Sequence, residues 1–401
     1  MANPTYTWAD DSSLLNDQVK AKIGEEALAT ADLSSITDFG KVISNMDGDV
    51  LLPIFNGILV KMTKTIVKDL NLTVEFPYLY RTSDEWGGIQ EAIKVISPEA
   101  QSPTNHNLVD NREYVDGVYR APHIKCTIWD GPEASFEFAY SIDLKDWMKA
   151  FASEAAYSAF MTARHNAIRR GIVLRKNMIA RDALCAMAGE TVYDEFSTGE
   201  YAASTGVRAI NLAYLFNANL AAADQKDNTF DWSHDESFQR FIRSEISRMP
   251  ARLKGDSVLY NMAGDLAQTN AESPLHTILL NDFVHDNRAY FLTDAFRDVI
   301  DLPEHETVDY WQGQGTAADF ATKSKIDVVV QGTHSVELSN VIGMMFSEKA
   351  VNIHNEAENV RSKYIASGDF YNYWETVDGK IILMPDENFV VYFVQFPAAG
   401  N

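Results

Sequence analysis

The chain has 401 residues, of which 46% are hydrophobic, a proportion that is ordinary for a folded protein. It carries 57 Asp and Glu residues against 34 Lys and Arg residues, which gives a formal net charge of −23. This acidic balance argues against a dedicated nucleic-acid binder, because affinity for phosphate rests on basic contacts.

Neither a membrane segment nor a secretory leader is visible in the sequence. No stretch approaches the roughly 20 apolar residues that cross a bilayer. Residues 1–11 lack both the basic region and the apolar core of a secretory signal. The two cysteines, Cys126 and Cys185, lie far apart in sequence, which is weak support for a disulfide and favours a reducing compartment.

The first predicted elements are a polar arm and an amphipathic helix. Residues 1–46 are acidic with scattered apolar residues, so we expect an arm that becomes ordered only against a partner. In the segment that follows, an apolar residue recurs at every fourth position, which predicts a helix. These residues are Ile54, Ile58, Met62, Ile66 and Leu70.

The helical period is lost from Thr73 to about Tyr140. After a break at Trp86-Gly87-Gly88, residues 89–96 read as a strand, and residues 114–119 and 124–129 read as returning strands. A structureless loop of this length inside a compact domain is implausible. The sequence therefore predicts a projecting two-stranded arm that another subunit stabilises. Phe136, Phe138 and Tyr140 alternate with polar residues and predict one further strand.

One very long helix is predicted from Asp143 to Met187, with Asp143 as its N-cap. If unbroken, its length of about 45 residues spans roughly 67 Å. Gly171 is expected to bend or divide the helix, and Gly189 to end it. A row of alanines at helical spacing permits another element to pack closely. These are Ala155, Ala159, Ala163 and Ala167.

The remainder of the chain predicts a mixed domain followed by strands. Helices are predicted at 207–223, 235–248 and 282–299, and strands at 307–311 and 326–330, which together indicate an α+β arrangement. Further on, Asp378-Gly379 separates the runs 371–377 and 380–384 and predicts a hairpin. With residues 389–396 as a third strand, the chain is expected to end in a β-meander.

No catalytic signature interrupts the sequence, so we predict that the chain is not an enzyme and has no catalytic, cofactor-binding or metal-binding residues. The nine histidines form no HExxH pair, and there is no paired CxxC, no GxSxG elbow and no P-loop lysine. Isolated histidines are more often surface or hydrogen-bonded structural residues than ligands.

Several segments, in their order and spacing, resemble a known family. They include EWGGIQEAIKV, LKDWMKAFASEAAYSAF, MMFSEKAVNIHNE and GDFYNYWETVDGKIILMPDENFVVYFV. The chain resembles the major capsid (major head) proteins of tailed bacteriophages with the Hong Kong 97-type fold. It is most similar to the branch found in small podoviruses of Bacillus. The resemblance extends from about Val42 to Phe396.

The resemblance implies a division of the chain into parts. Residues 1–46 would be the N-terminal arm, and residues 81–129 the extended loop, called the E-loop. The peripheral domain would comprise residues 47–80 and 130–189, including the long helix as the spine helix. Residues 190–345 would form the axial domain, and residues 346–401 would return to the peripheral domain with the C-terminal β-meander.

The resemblance also implies a function. The chain would be a structural subunit of an icosahedral capsid, built from pentamers and hexamers and enclosing the packaged double-stranded DNA without sequence-specific binding. It would assemble in the host bacterial cytoplasm, with a portal protein, no membrane and no cofactor. Because the N-terminal region is short, we expect a separate scaffolding protein. The acidic charge is consistent with a capsid wall that does not bind the DNA inside it, although solubility of the protein also accounts for the charge.

The candidate inter-subunit residues fall into three groups. Aromatic anchors of the loop are Trp86, Tyr114, Tyr119 and Trp129, and candidate hinges beside them are Gly87 and Gly88. The basic stretch of the long helix comprises Arg164, Arg169, Arg170 and Arg175, which would pair with acids of adjacent subunits. Core aromatics, ordinary turn glycines and local ion pairs remain open as alternatives.

Two other functions are kept as alternatives. One is the shell of an encapsulin-like compartment that holds an enzyme, and the other is a soluble hydrolase with an unrecognised site. A hydrolase would be a compact monomer with a cleft of convergent polar groups.

Overall fold

The computed structural model describes most of the chain beyond residue 73. The described residues are 74–81, 89–96, 123–130, 134–150, 152–197, 199–264, 267–271, 274–291, 302–311, 323–368 and 370–398. The predicted arm, the predicted helix that contains Ile54, and the predicted strand at 114–119 lie outside them.

Five α-helices are described, and they include one that is much longer than the rest. They are α1 (Leu144–Ala150), α2 (Glu154–Glu195), α3 (Leu212–Ala218), α4 (Glu236–Leu253) and α5 (Asn281–Phe291). Short 3-10 helices lie at Pro77–Leu79 and Trp232–His234.

Thirteen strands accompany the helices in the described parts of the chain. They are β1 (Tyr80–Arg81), β2 (Ile89–Ile96), β3 (His123–Asp130), β4 (Phe136–Asp143), β5 (Ala209–Asn211), β6 (Leu275–Leu280), β7 (Glu306–Val308), β8 (Ile326–Val330), β9 (His334–Leu338), β10 (Val341–Ser347), β11 (Val351–Ile365), β12 (Phe370–Leu383) and β13 (Phe389–Phe393). The strand predictions at 89–96, 124–129 and 326–330 are confirmed, and so is the strand that contains Phe136. The fold class is α+β, as predicted.

The long helix differs from its prediction at three points. It begins at Glu154 rather than Asp143, because the Ser153 hydroxyl accepts the Ala156 N–H at 3.1 Å and starts a new helix after α1. It is not divided at Gly171, where the Phe138 ring packs closely. It passes Gly189, which a Val328 methyl group approaches so closely that only glycine fits, and it ends at Glu195.

The chain separates into two compact units. The described residues of unit 1 lie within 1–86, 133–184 and 353–381, and those of unit 2 lie within 87–132, 185–352 and 382–401. Helix α2 and strands β11 and β12 run from one unit into the other.

Unit 1 is built on a four-stranded sheet in the order β1-β11-β12-β4. Along β12, buried and half-buried residues alternate, so that Tyr371, Tyr373, Glu375 and Val377 share one face. On β4 the residues paired with these four occupy the same face. They are Ile142, Tyr140, Phe138 and Phe136.

Helix α2 is held in unit 1 by charge and aromatic contacts. Arg181 is buried and makes a two-pronged ion pair with Glu75, from Nε to one carboxylate oxygen at 3.1 Å and from a terminal guanidinium nitrogen to the other at 2.8 Å. The Tyr80 hydroxyl donates to the Lys176 carbonyl oxygen at 2.7 Å, and the Lys176 ammonium lies 5.3 Å from the centre of the Tyr80 ring. Burial raises the pKa of Tyr80, so its hydroxyl remains a donor.

Unit 2 contains a five-stranded sheet in the order β5-β13-β10-β6-β7, and strands β10 and β13 are buried along their whole length. Helix α4 presents apolar residues at helical spacing to the core, among them Phe238, Ile242 and Ile246. Contrary to the prediction, α4 includes Pro250 and continues to the buried Leu253.

The predicted C-terminal meander is wrong. Strand β12 runs without a turn through Asp378-Gly379, because its pairing with β4 continues to the bond from the Ala134 N–H to the Gly379 carbonyl oxygen, at 2.6 Å. The last strand, β13, pairs with β10 and β5 in the other sheet.

Candidate inter-subunit surfaces

The first candidate surface is the hairpin of β2 and β3, which forms a two-stranded sheet of its own. Its register places Ile93 opposite Cys126 and Lys94 opposite Lys125. Because successive residues of a strand belong to opposite faces, each face takes every second position. One face holds Ile89, Glu91, Ile93, Val95, Ile124, Cys126, Ile128 and Asp130, of which six are apolar. The other holds Gln90, Ala92, Lys94, Ile96, His123, Lys125, Thr127 and Trp129.

This hairpin is poorly suited to stand alone. An isolated two-stranded ribbon is at best marginally stable in water, because it buries little apolar surface. Among the described residues, no third strand joins it. A face with six apolar positions therefore needs a covering surface.

The structure describes few of the predicted loop anchors. Trp129 lies in β3 opposite Gln90, on the face that also holds Lys94. The other aromatic and glycine candidates lie outside the described residues, and their roles stay predictions. They are Trp86, Gly87, Gly88, Tyr114 and Tyr119.

The second candidate surface is the middle part of α2. Residues 163–181 contain six Lys and Arg residues and no Asp or Glu, in a chain that is acidic as a whole. Of the four arginines predicted to contact neighbours, Arg170 is exposed, whereas Arg164, Arg169 and Arg175 are half-buried. The arginines therefore do not form one uniform exposed face, and their inter-subunit role stays a prediction.

Arg164 packs against its own chain, beside a buried carboxylate. Its guanidinium lies 4.3 Å from the centre of the Tyr140 ring, a cation–π contact. The Tyr140 hydroxyl donates to Glu375, which is only 2% exposed. Burial, followed by the charge of Glu375, raises the pKa of Tyr140, so the hydroxyl stays protonated and keeps donating. Sequence reasoning missed Glu375, although its position in the buried register of β12 is a usable signal.

The predicted alanine row faces solvent within the described chain. All four of its members are exposed, and they share their side of α2 with Arg170 and with Leu174, which is 53% exposed. Exposed helix positions usually carry long polar side chains, so this smooth face is unusual for a solvated surface. That another element packs closely on it stays a prediction.

The half-buried carboxylate of Asp182 on α2 gives stability a pH dependence. Burial raises the pKa of Asp182 from 3.8 to about 6, although Arg175 partly offsets the shift. Because the folded-state pKa lies above the unfolded value, the folded state binds the proton more tightly, and stability falls as pH rises from about 4 to about 6.

We therefore expect Asp182→Asn to raise the free energy of unfolding of the unassembled chain by about 1–3 kcal/mol above pH 6. The gain should shrink as the pH falls toward 4, where the wild-type carboxyl is itself neutral. Urea unfolding of both chains across this pH range measures the effect. A gain that does not vary with pH would contradict the assignment, and Asp224→Asn, at an exposed position, serves as the control.

Neither a membrane-spanning helix nor a cluster of metal-ligating side chains occurs in the described part of the chain. No helix there is long and apolar enough to cross a bilayer. No group of three or more His, Cys, Asp or Glu side chains within the described ranges is placed to hold a metal ion. Cys185 is a buried free thiol.

Comparison with known proteins defines the class. The model of the Phi29-like phage major capsid protein family matches residues 15–393. The chain belongs to this family, and it is accordingly a structural subunit of a phage capsid and not an enzyme. No curated protein matches the chain.

Solved structures that resemble this chain also come from phage particles. The capsid of Staphylococcus phage Andhra matches with 10% identity and a TM-score of 0.47, over 80% of this chain and 84% of the other. A chain in the structure of the head fiber and inner core protein gp22 of native bacteriophage P68 matches with 10% identity and a TM-score of 0.45, over 80% and 85%. The capsid of the cyanophage P-SCSP1u matches with 10% identity and a TM-score of 0.40, over 79% and 87%.

Proposed function

We propose that this chain assembles as pentamers and hexamers into an icosahedral shell around the packaged double-stranded DNA genome. The shell forms in the cytoplasm of the host bacterium with a separate scaffolding protein, and a portal protein occupies one vertex. Family membership supports the capsid role, and the β2–β3 hairpin supports assembly through shared surfaces.

We assign the chain the Hong Kong 97-type fold of the small Bacillus podovirus branch. In this assignment residues 81–129 are the E-loop, α2 is the spine helix, and residues 190–345 make up most of the axial domain. The N-terminal arm and the peripheral domain keep the bounds predicted from the sequence, apart from the C-terminal meander, which the sheet pairing overturns.

The observation that carries the proposal is the apolar face of the β2–β3 hairpin, which no other described strand joins. If a neighbouring copy covers the apolar face of the hairpin, each subunit contributes its hairpin to one contact and a covering surface to another. The two surfaces differ, so the interface is heterologous. Such interfaces close into rings when the rotation between copies permits. Closed rings of five and six copies of one sequence are the units from which an icosahedral shell is built.

A matched pair of substitutions on β2 tests this proposal. Ile93 lies on the apolar face and the adjacent Ala92 lies on the other. Coexpression of wild-type chain and its scaffolding protein should give regular shells in electron micrographs. Ile93→Lys is expected to lower the yield of shells at least about tenfold, because each interface would bury an unpaired charge. Ala92→Lys should assemble as the wild type does.

Two results would contradict the proposal. One is a wild-type chain that stays monomeric under all assembly conditions with scaffold present. The other is normal assembly of the Ile93→Lys chain. Circular dichroism of the unassembled chains checks that both variants keep the helical content of the wild type.

A further inference from the structure

A cavity of about 550 Å³, open to solvent, lies within unit 2. Its lining comes from four parts of the chain: the 3-10 helix at Trp232–His234, the end of β6 with the start of α5, the residues at the start of β8, and the turn from β9 into β10. Ligand pockets in proteins measure roughly 300–1,000 Å³ and combine apolar walls with a few polar groups. This cavity has the size and the mixed lining of such a pocket.

One side of the cavity is apolar. Leu280, Phe283 and Ile342 line it, and all three are almost fully buried. Trp232 also lines it and is half-buried, and an edge contact with Phe238, with ring centres 6.3 Å apart, holds its ring in place. Apolar walls of this kind accept an alkyl chain, and an indole ring attracts a cation more strongly than the other aromatic side chains do.

The charged side chains of the lining are not balanced. Lys323 pairs with Asp282 at 3.1 Å. Lys325 pairs with Glu337, which does not line the cavity. Asp286 lies one turn after Asp282 on α5, is exposed, and makes no ion pair with any residue of the described ranges. Both lysines are therefore engaged, whereas one carboxylate has no ion-pair partner.

This imbalance decides the sign of a ligand's charge. An anion would have to break an existing ion pair to reach a lysine, and two carboxylates on α5 would repel it. A cation meets Asp286 directly and also relieves its repulsion from Asp282, since the two occupy positions i and i+4 of a helix. The exposed His234 competes only when it is protonated. Asp231 chiefly raises the pKa of His234, and the charge of Asp286 adds to the effect.

We propose that this cavity binds a primary ammonium group carried on an alkyl chain. The ammonium pairs with Asp286, and the alkyl chain packs against Trp232, Phe283 and Ile342. Two sources supply this chemistry, a free polyamine and a lysine side chain of a partner protein. The site does not rest on the proposed shell, because all of its lining residues belong to one unit of a single chain.

Fluorine NMR of the unassembled chain, labelled with 5-fluorotryptophan, tests the site. The chain has seven tryptophans, and Trp232→Phe identifies the signal of Trp232 by its loss. The probe is butylammonium, added at about pH 8.5, where His234 is largely neutral and an alkylammonium keeps its charge. We expect a saturable shift of the Trp232 signal. Butan-1-ol, the uncharged probe of the same length, should bind at least about tenfold more weakly.

Two substitutions should change the affinity in opposite directions. Asp286→Asn removes the unpaired carboxylate and is expected to raise the dissociation constant of butylammonium at least about tenfold. Lys323→Met releases Asp282 from its ion pair and is expected to lower the dissociation constant at least about threefold. Asp224→Asn, at an exposed position outside the cavity, should leave it unchanged. Circular dichroism checks the fold of each variant, and the two probes on the wild-type chain decide the case if a variant misfolds.

A carbodiimide distinguishes the two sources of the ammonium group. This reagent joins carboxylates to amines without a spacer, so it can be applied to the chain coexpressed with its scaffolding protein. Mass spectrometry then shows which amine Asp286 carries. A polyamine on Asp286 identifies a free ligand, and a link to a lysine of another chain identifies a partner protein. Asp286 joined to neither overturns the assignment of a natural occupant.

The outcomes for this cavity and for the shell are independent. A Trp232 signal that butylammonium does not shift, or shifts equally in the wild-type and Asp286→Asn chains, overturns the ammonium site and leaves the shell proposal intact. A wild-type chain that forms no shells with scaffold present overturns the shell proposal and leaves the ammonium site intact.

Discussion

Replacing Glu195 with alanine is expected to lower the free energy of unfolding by about 2–4 kcal/mol, because three backbone N–H groups lose their acceptor and Arg208 loses one of its two carboxylate partners. The Glu195 carboxylate is only 11% exposed at the end of α2. One oxygen accepts the N–H groups of Val207 and Arg208 at 3.2 and 3.0 Å, and the other accepts that of Ala209 at 2.8 Å. The Arg208 Nε–H also donates to the first of these two oxygens, at 3.0 Å.

The backbone around this carboxylate is shaped to fit it. A Cβ atom on Gly206 would stand 1.5 Å from a Glu195 carboxylate oxygen, so only glycine permits the approach. Three successive N–H groups converge on one anion, which fixes the start of β5 against the end of α2.

Asp194→Ala is the matched control. Asp194 contacts the same arginine, Arg208, at 2.6 Å, but it is 47% exposed, and its loss should cost less than about 1 kcal/mol. Urea unfolding of the unassembled chains measures both values. Equal effects of the two substitutions would show that burial of Glu195 does not set its contribution.

Regular alternation over a whole strand made parts of this fold predictable. Strands β2, β3 and β4 follow the period of two in the sequence, and each forms where that period predicts it. This alternation is a property of neighbouring residues in the sequence, so it indicates a strand whichever partner the strand has. The α+β class follows in the same way from helical and strand periods that occur in separate segments.

Signals that tertiary pairing can override were misleading. Asp378-Gly379 favours a tight turn, but the long pairing of β12 with β4 outweighs a two-residue preference. Gly189 favours a helix end, yet the close approach of Val328 uses that glycine inside α2. In both cases the deciding partner is more than a hundred residues away in sequence.

The candidate surfaces were predictable to different degrees. The sequence predicts the hairpin as a projecting arm, because its strands are recognisable and a structureless loop of that length is improbable. Which residues share a face of the hairpin could be decided only from the pairing register of β2 and β3. This register places Lys94 opposite Lys125 and Trp129 opposite Gln90.

Substituting Gly343 with alanine is expected to lower the free energy of unfolding by about 3 kcal/mol or more, because the added methyl group has no space. Gly343 lies in β10, the central strand of the five-stranded sheet, beside an irregularity in its pairing with β13. Its Cβ would stand 2.6 Å from the Ile278 carbonyl oxygen and 2.5 Å from a Leu279 methyl group. The first contact is with backbone, so a change of rotamer cannot relieve it.

Gly255→Ala separates this steric effect from the general effect of removing a glycine. Its Cβ would lie 3.5 Å from the nearest atom, the Arg252 carbonyl oxygen, which is an ordinary contact. The expected change is within about 1 kcal/mol in either direction. Thermal and urea unfolding of the unassembled chains compare the two variants. If Gly343→Ala unfolds at the wild-type midpoint, β6 must be able to move away from β10, and the tight packing at the centre of this sheet does not limit stability.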